Sequence, residues 1–250
     1  MALRCVYTDL DGTLLGKGAS LFRDGEGQFT LMAARALEAC HRVGVEVVLT
    51  SGRRRAQVME DARLIGQSAY IFEVGSGLAI EGETTWITGR FQPTEARTIH
   101  QLIAETGAPE MLLREYVGRL EHHSPWHLDR EVSHLFRGKV DPDEVNPRLE
   151  GLRLVDNGKI GEGIHAYHLI PAESSKAAAV DLHMRARGYA REECIAVGDS
   201  REDLGVAAHV GKFFLVANAD PSLRGGEIEV TEGSHGEGFY EAVVGSLMSR

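Results

Sequence analysis

Two pairs of carboxylates are spaced so that they could do chemistry. Asp9 and Asp11 stand two residues apart in Asp9-Leu10-Asp11-Gly12-Thr13, directly after the apolar, β-prone run 3–8. Asp199 and Asp203 stand in Gly198-Asp199-Ser200-Arg201-Glu202-Asp203, again just past a short apolar run. Open α/β sheets bind ligands outside the carboxyl ends of their strands, so both pairs are expected in one crevice. One carboxylate of the first pair suits attack on phosphorus, and the other suits protonation of the departing alkoxide and then deprotonation of the hydrolytic water. Four carboxylates in one crevice repel each other unless a cation lies among them. An all-oxygen donor set without His or Cys selects a hard ion, Mg2+ before Zn2+.

A phosphate dianion needs further donors. Ser51 and Gly52 fall at an expected strand-to-helix junction, where free N–H groups and the helix dipole favour an anion. Lys176 opens a later helix and can reach in as a point charge.

The elements that position these groups alternate. Strands are expected at 3–8, 45–50 and 69–74, with a Gly-rich flap over 16–28. A helix capped by Thr30 should bury Ala33, Ala34, Leu37, Cys40 and Val43 and stop at Gly44, and another should run from Ser51 to about Ile65. From about Gly82 to Pro171 the texture changes to mixed charge, five prolines and most of the histidines. Beyond it come a helix over 175–187, a strand at 194–197, a short helix, a strand at 212–216 and a last helix over 238–248. The expected class is α/β: a Rossmann-like parallel-sheet core from residues 1–82 and 171–250, interrupted by an α+β cap at 83–170.

Composition narrows the partners. A chain of 250 residues with 43% hydrophobic and 26% charged residues can bury a large core. A net charge of −10 argues against general binding to nucleic acid or an anionic membrane. No stretch reaches the apolar length of a bilayer span, and the start is not that of a secretory signal, so a cytoplasmic location is expected. Cys5, Cys40 and Cys194 are far apart with no CxxC pair, and read as buried thiols. Nothing in the chain sets an oligomeric state.

The order DLDGT, TSGR, Lys176 and GDSRED resembles the four motifs of the haloacid dehalogenase-like phosphatases. That resemblance implies Asp9 as nucleophile and Asp11 as general acid/base. It implies Leu10, Ser51, Gly52 and Lys176 as phosphate-binding residues, and Mg2+ held by Asp9, Asp199, Asp203 and the main-chain carbonyl of Asp11. The cap's place between the Ser51 and Lys176 motifs is similar to the type IIB (C2B) group, which includes Cof-like sugar phosphatases, sucrose phosphatases and mannosyl-3-phosphoglycerate phosphatases. Phe72-Glu73-Val74-Gly75 resembles that group's Glu-Asn-Gly turn, and His168-Leu169-Ile170-Pro171 also fits. Val74 and Glu202 depart from the usual Asn at both places.

Each motif alone has a bland reading: a turn for Asp11-Gly12, a helix start for Ser51 and Asp199, a solvated lysine for Lys176. Their joint order favours catalysis. The expected activity is Mg2+-dependent hydrolysis of a small phosphomonoester, a sugar phosphate or phosphoglycerate-type metabolite, through an aspartyl phosphate. The alternatives are a phosphomutase, a phosphoglycolate phosphatase and a silent phospho-ligand binder. His122, His123, His127 and His134 are expected to be surface or core groups rather than metal ligands. Arg114, Arg119 and Arg130 are candidates for substrate contact, although most cap charges are expected to be solvated.

Overall fold

The computed structural model describes residues 2–226 and 228–249. The run Cys-Val-Tyr-Thr-Asp forms β1 (Cys5–Asp9), buried at every position. Continuous burial is what a strand covered on both faces requires. It is followed by α1 (Met32–Arg42), β2 (Glu46–Thr50), α2 (Arg55–Leu64), β3 (Ala69–Phe72), β4 (Gly77–Ile80) and β5 (Glu83–Trp86). The cap contributes α3 (Ile99–Ala104), α4 (Ala108–Glu115), β6 (Leu120–His122), β7 (His134–Gly138), α5 (Pro142–Val145), β8 (Leu152–Gly161) and β9 (Ile164–Pro171). The chain then returns through α6 (Lys176–Arg187), β10 (Cys194–Gly198), α7 (Arg201–Leu204), β11 (Lys212–Leu215), β12 (Glu229–Val230) and α8 (Gly236–Met248).

The core sheet has the order β12-β11-β10-β1-β2-β3-β4-β5. It is parallel from β12 to β3. From β1 the chain moves to β2 on one side, whereas β10 lies on the other, so β1 and β10 open the crevice where strand order reverses. Alternate residues of β1 face opposite layers. Val6 packs with Ala36, Leu49, Val197 and Phe239 under α1 and α8, while Tyr7 packs with Val48, Val180, Met184 and Ala196 under α6.

The cap is a second sheet, order β6-β7-β9-β8 and antiparallel throughout. Its own core joins Ile99, Ile103 and Leu112 of the helices to Leu120, Phe136, Leu154 and Leu169 of the strands. Each such side chain contributes about 1.5–3 kcal/mol on burial. Trp86 packs against both the core and the cap clusters.

Four expectations change. The core sheet runs on past Gly82, because β5 pairs antiparallel with β4 through a two-residue turn whose Glu81 and Gly82 both have positive φ. The third strand ends at Phe72, and Glu73, Val74 and Gly75 turn left-handed, with φ of 45°, 59° and 80°. Thr30 does not cap α1: its hydroxyl accepts from Met32 at 3.3 Å, the N-cap is Leu31, and Ala36 faces the core instead of Ala34. Ser51 does not open a helix either, since Arg54 is extended and α2 starts at Arg55. No described helix is long and apolar enough to cross a membrane.

Candidate active site

Asp9 ends β1 with its carboxylate almost fully buried. Lys176 Nζ donates to Asp9 Oδ1 at 2.5 Å and to Asp203 Oδ1 at 2.7 Å. Lys176 is the first residue of α6, whose N-cap Ser175 accepts from the Ala178 N–H. The lysine is aimed at β1 because the turn after β3 packs tightly under it. A Cβ on Gly75 would fall 2.1 Å from the Ser175 carbonyl oxygen. Burial alone would lower the Lys176 pKa, but the Asp203 and Asp9 carboxylates outweigh it and hold the ammonium charged.

Asp203 lies in α7 with both oxygens engaged. Oδ2 accepts from the N–H groups of Asp199 and Ser200 and from the Ser200 hydroxyl, and Oδ1 accepts from Lys176. Asp199, just past β10, accepts one hydrogen bond from Thr13 through Oδ1 at 3.1 Å. Its Oδ2 comes within 2.3 Å of where a Cβ on Gly12 would stand, so the approach requires glycine there, at φ +90°. Carboxylate oxygens of Asp9, Asp199 and Asp203 lie within 4.8 Å of one another.

Burial, together with the neighbouring carboxylates, raises Asp9 well above the carboxylate range, and burial and Asp203 push Asp199 up to about 7. Lys176 offsets part of this at both. A single ammonium therefore leaves the cluster short of positive charge. A hard divalent cation fits the all-oxygen set, with Asp9 and Asp199 the carboxylates that keep oxygens free for it.

Asp11 does not join the cluster. It is half exposed, and Arg53 holds it with two bonds, Nη2 to Oδ1 at 2.6 Å and Nε to Oδ2 at 2.7 Å. The same guanidinium reaches Asp61 of α2 at 2.9 Å. Ser51, buried at the end of β2, spends its N–H on the Ile71 carbonyl, so its hydroxyl is the group left to face an anion. The Leu10 side chain lies in the core, and only its main chain can meet a phosphate. The helix-dipole argument for Ser51 and Gly52 lapses because α2 begins further on.

Between core and cap lies a cavity of about 650 Å³. Asp9, Asp11, Ser51, Gly52 and Arg53 form its floor, and His123, Trp126, Arg130, Asn157, Lys159 and His168 come from the cap. Arg130 is not solvated: its side chain is 5% exposed, and Nη1 donates to Gly52 O at 3.1 Å and to Ser133 Oγ at 3.0 Å. Arg114 and Arg119 are exposed. Burial, with Arg130 and Lys176 nearby, holds His168 neutral. His122 stacks on His127 and His134 on His100, as groups of the cap, whereas His123 lines the crevice.

Arg130 is seated by Glu73, a group that sequence reasoning placed in a motif without a role. The Glu73 carboxylate is fully buried and accepts from the N–H groups of Glu131, Val132 and Ser133 and from the Ser133 hydroxyl, at 2.6–3.2 Å. Val74 follows in a left-handed conformation that β-branched residues avoid and Asn tolerates. Its packing against Val155 and Ile170 of the cap offsets that strain.

A family model described as haloacid dehalogenase-like hydrolase matches residues 6–149 and 153–243. The phosphoglycolate phosphatase of Methanothermobacter thermautotrophicus is 28% identical over 243 residues, covering 96% of this chain and 97% of the relative. That of Archaeoglobus fulgidus is 27% identical over 245 residues, covering 96% and 95%. Among solved structures, a Thermoplasma acidophilum protein superposes with a TM-score of 0.70 at 19% identity, covering 98% of this chain and 99% of that one. The sucrose-phosphatase of Synechocystis sp. PCC6803, in complex with sucrose and phosphate, gives 0.68 at 15% identity, covering 98% of each. These structural likenesses speak to the fold, a Rossmann-like core with a cap.

Proposed function

The chain belongs to the haloacid dehalogenase-like hydrolases, and from that premise we propose that this phosphatase is Mg2+-dependent and acts on a small phosphomonoester bearing a second anionic group, of the phosphoglycolate kind. The observation that carries the chemistry is the convergence of Asp9, Lys176, Asp199 and Asp203 at the carboxyl ends of β1 and β10. The names of the relatives support the substrate class, as does the cation content of the cap side of the crevice. Arg130 and Lys159 suit a carboxylate better than they suit a neutral sugar.

With Oδ1 of Asp9 held by Lys176, its other oxygen attacks phosphorus and the ester P–O bond breaks. The departing alkoxide takes a proton from Asp11. Arg53 engages both oxygens of Asp11, so substrate entry must loosen that pair before Asp11 can reach the leaving group. In the second half Asp11 removes a proton from water, which attacks the phosphorus of the aspartyl phosphate and releases Asp9 and inorganic phosphate. The Ser51 hydroxyl and Lys176, with the main chain of Leu10 and Gly52, hold the phosphoryl oxygens. Asp9, Asp199 and the Asp11 carbonyl would hold Mg2+, which would offset the charge developing on those oxygens. Asp203 orients Asp199 and Lys176 through its hydrogen bonds rather than as a direct ligand. The cap, from α3 to β9, closes over the crevice and chooses the substrate. A cytoplasmic setting belongs to the same proposal.

Steady-state phosphate release with Mg2+ over a panel of phosphoglycolate, phosphoglycerates, sugar phosphates and an aryl phosphate tests this. The highest kcat/KM is expected for phosphoglycolate. A preference for sugar phosphates would overturn the substrate class, and no turnover on any member would overturn the activity.

A further inference from the structure

A second cluster lies at the opposite end of β1, four residues and about 13 Å from Asp9. We propose that it binds one soft divalent cation, Zn2+ by its donor set, between Cys5, Cys194, His183 and Glu46, and so ties α6 to the core sheet. Cys5 stands in register with Glu46 of β2 and with Cys194 of β10, so the three side chains emerge from one face of adjacent parallel strands. His183 of α6 is laid over them and is fully buried. The Cys5 sulfur, a Glu46 carboxylate oxygen and a His183 ring nitrogen lie within 4.8 Å of one another.

The second observation is an orphaned atom. His183 Nε2 is buried without a hydrogen-bond partner and lies 3.6 Å from Glu46 Oε2, too far for a hydrogen bond. Buried ring nitrogens are rarely left so. Its other nitrogen is fixed, since Nδ1 is 2.8 Å from the Tyr7 hydroxyl. With Nδ1–H donating to Tyr7, the Nε2 lone pair points at the cluster, the arrangement in which metal-bound histidines are held. Glu46 is steadied likewise. Tyr189 donates to Oε2 at 2.8 Å and Arg187 to Oε1 at 3.1 Å, leaving a lone pair of the carboxylate for an ion.

Two thiolates, an imidazole and a carboxylate make a four-ligand set of the kind that closes around structural zinc, unlike the oxygen-only crevice. At bond lengths of roughly 2.0–2.3 Å the ligand atoms of a tetrahedral site stand about 3.3–3.8 Å apart, a spacing that His183 Nε2 and Glu46 Oε2 already have at 3.6 Å. The Cys5 and Cys194 thiols lose their protons to solvent as the bonds form. The consequence reaches the crevice through the helix. His183 lies seven residues, about 10 Å of rise, along α6 from Lys176. An ion there fixes that helix to β1 and β2, and with it the distance from Lys176 to Asp9.

The site stands independently of the catalytic reading and is tested on the full chain after chelator treatment, with Co2+ as spectroscopic probe and Zn2+ as competitor. The wild type and Asp199→Asn should each show thiolate-to-cobalt charge transfer that saturates at a single equivalent and is displaced by Zn2+. Cys5→Ser and His183→Gln should lose it, and Tyr7→Phe should weaken Zn2+ binding roughly ten- to hundredfold. X-ray absorption of the zinc-loaded wild type should find sulfur and nitrogen around the ion, which decides the matter even if a variant fails to fold. Oxygen-only ligation, an absent thiolate band, or a band that survives Cys5→Ser or vanishes in Asp199→Asn would overturn the proposal.

Discussion

Truncating Glu73 to alanine should loosen the cap from the core, and the size of the effect follows from its contacts. The carboxylate has no solvent exposure and accepts from three main-chain N–H groups and one hydroxyl. It is also 3.9 Å from the buried guanidinium of Arg130. Each donor left unsatisfied in the interior costs about 1–3 kcal/mol, but water entering the vacated space will satisfy some of them. Removing one partner of a buried charged network typically costs about 3–5 kcal/mol, which bounds the net loss better than the sum. For a chain of this size that corresponds to a fall in Tm of roughly 6–20 °C. Thermal unfolding followed by tryptophan fluorescence reads it, since Trp86 and Trp126 both lie at the cap. The kcat/KM for the substrate should fall as well, because Arg130 lines the crevice. A Tm unchanged to within about a degree would refute the reasoning, and would mean that the carboxylate is solvated in place and does not seat the cap.

Removing divalent metal should abolish phosphate release and Mg2+ should restore it, because Lys176 alone cannot balance the buried carboxylates; full turnover in excess chelator would contradict this. Asp11→Asn should slow hydrolysis of an alkyl phosphate by about 10²–10⁴, and that of an aryl phosphate, whose leaving group needs little protonation, much less. Equal losses on the two would count against an acid/base role. Burial holds His134 near 4, below its ordinary 6.5, so the unfolded chain takes up the proton first. The stability this gives is complete above pH 6.5 and is lost as pH falls through about 4, up to about 3 kcal/mol. Urea titrations of His134→Gln should accordingly show a flatter acid limb than the wild type, and an unchanged limb would remove His134 from the account.

The candidate catalytic groups were legible because their signals are local: an apolar run ends and a carboxylate follows, at β1 and again at β10. What joins them was not. Arg53 clasps Asp11 across 42 positions, and Glu73 accepts from Ser133 across 60, separations over which no periodicity or propensity carries information. Arg130 read as a solvated charge because charge is the only property its neighbourhood in sequence displays, whereas the fold buries it between Gly52 and Ser133. The β4–β5 hairpin was hidden because its turn uses Glu81, a residue that seldom adopts positive φ, and its second strand is polar and half exposed. Ser51 looked like a helix start because Ser-Gly often is one, yet the chain bends at Gly52 and Arg53 and is extended at Arg54, and Arg53 reaches Asp11 and Asp61 together. The three cysteines read as isolated thiols, and only the β1–β10 register brings two of them side by side.

The central claim is that Asp9 becomes covalently phosphorylated. Turnover of a good substrate with Mg2+ would be quenched in acid within the first cycle, the protein reduced with borohydride, and its peptides analysed by mass spectrometry. An acyl phosphate is reduced to the alcohol where a free carboxylate is not, so the account predicts that change at position 9 and at no other carboxylate, and its absence from Asp9→Asn. Rapid phosphate release with Asp9 never modified, or substantial turnover by Asp9→Asn, would contradict it and point to direct attack by water.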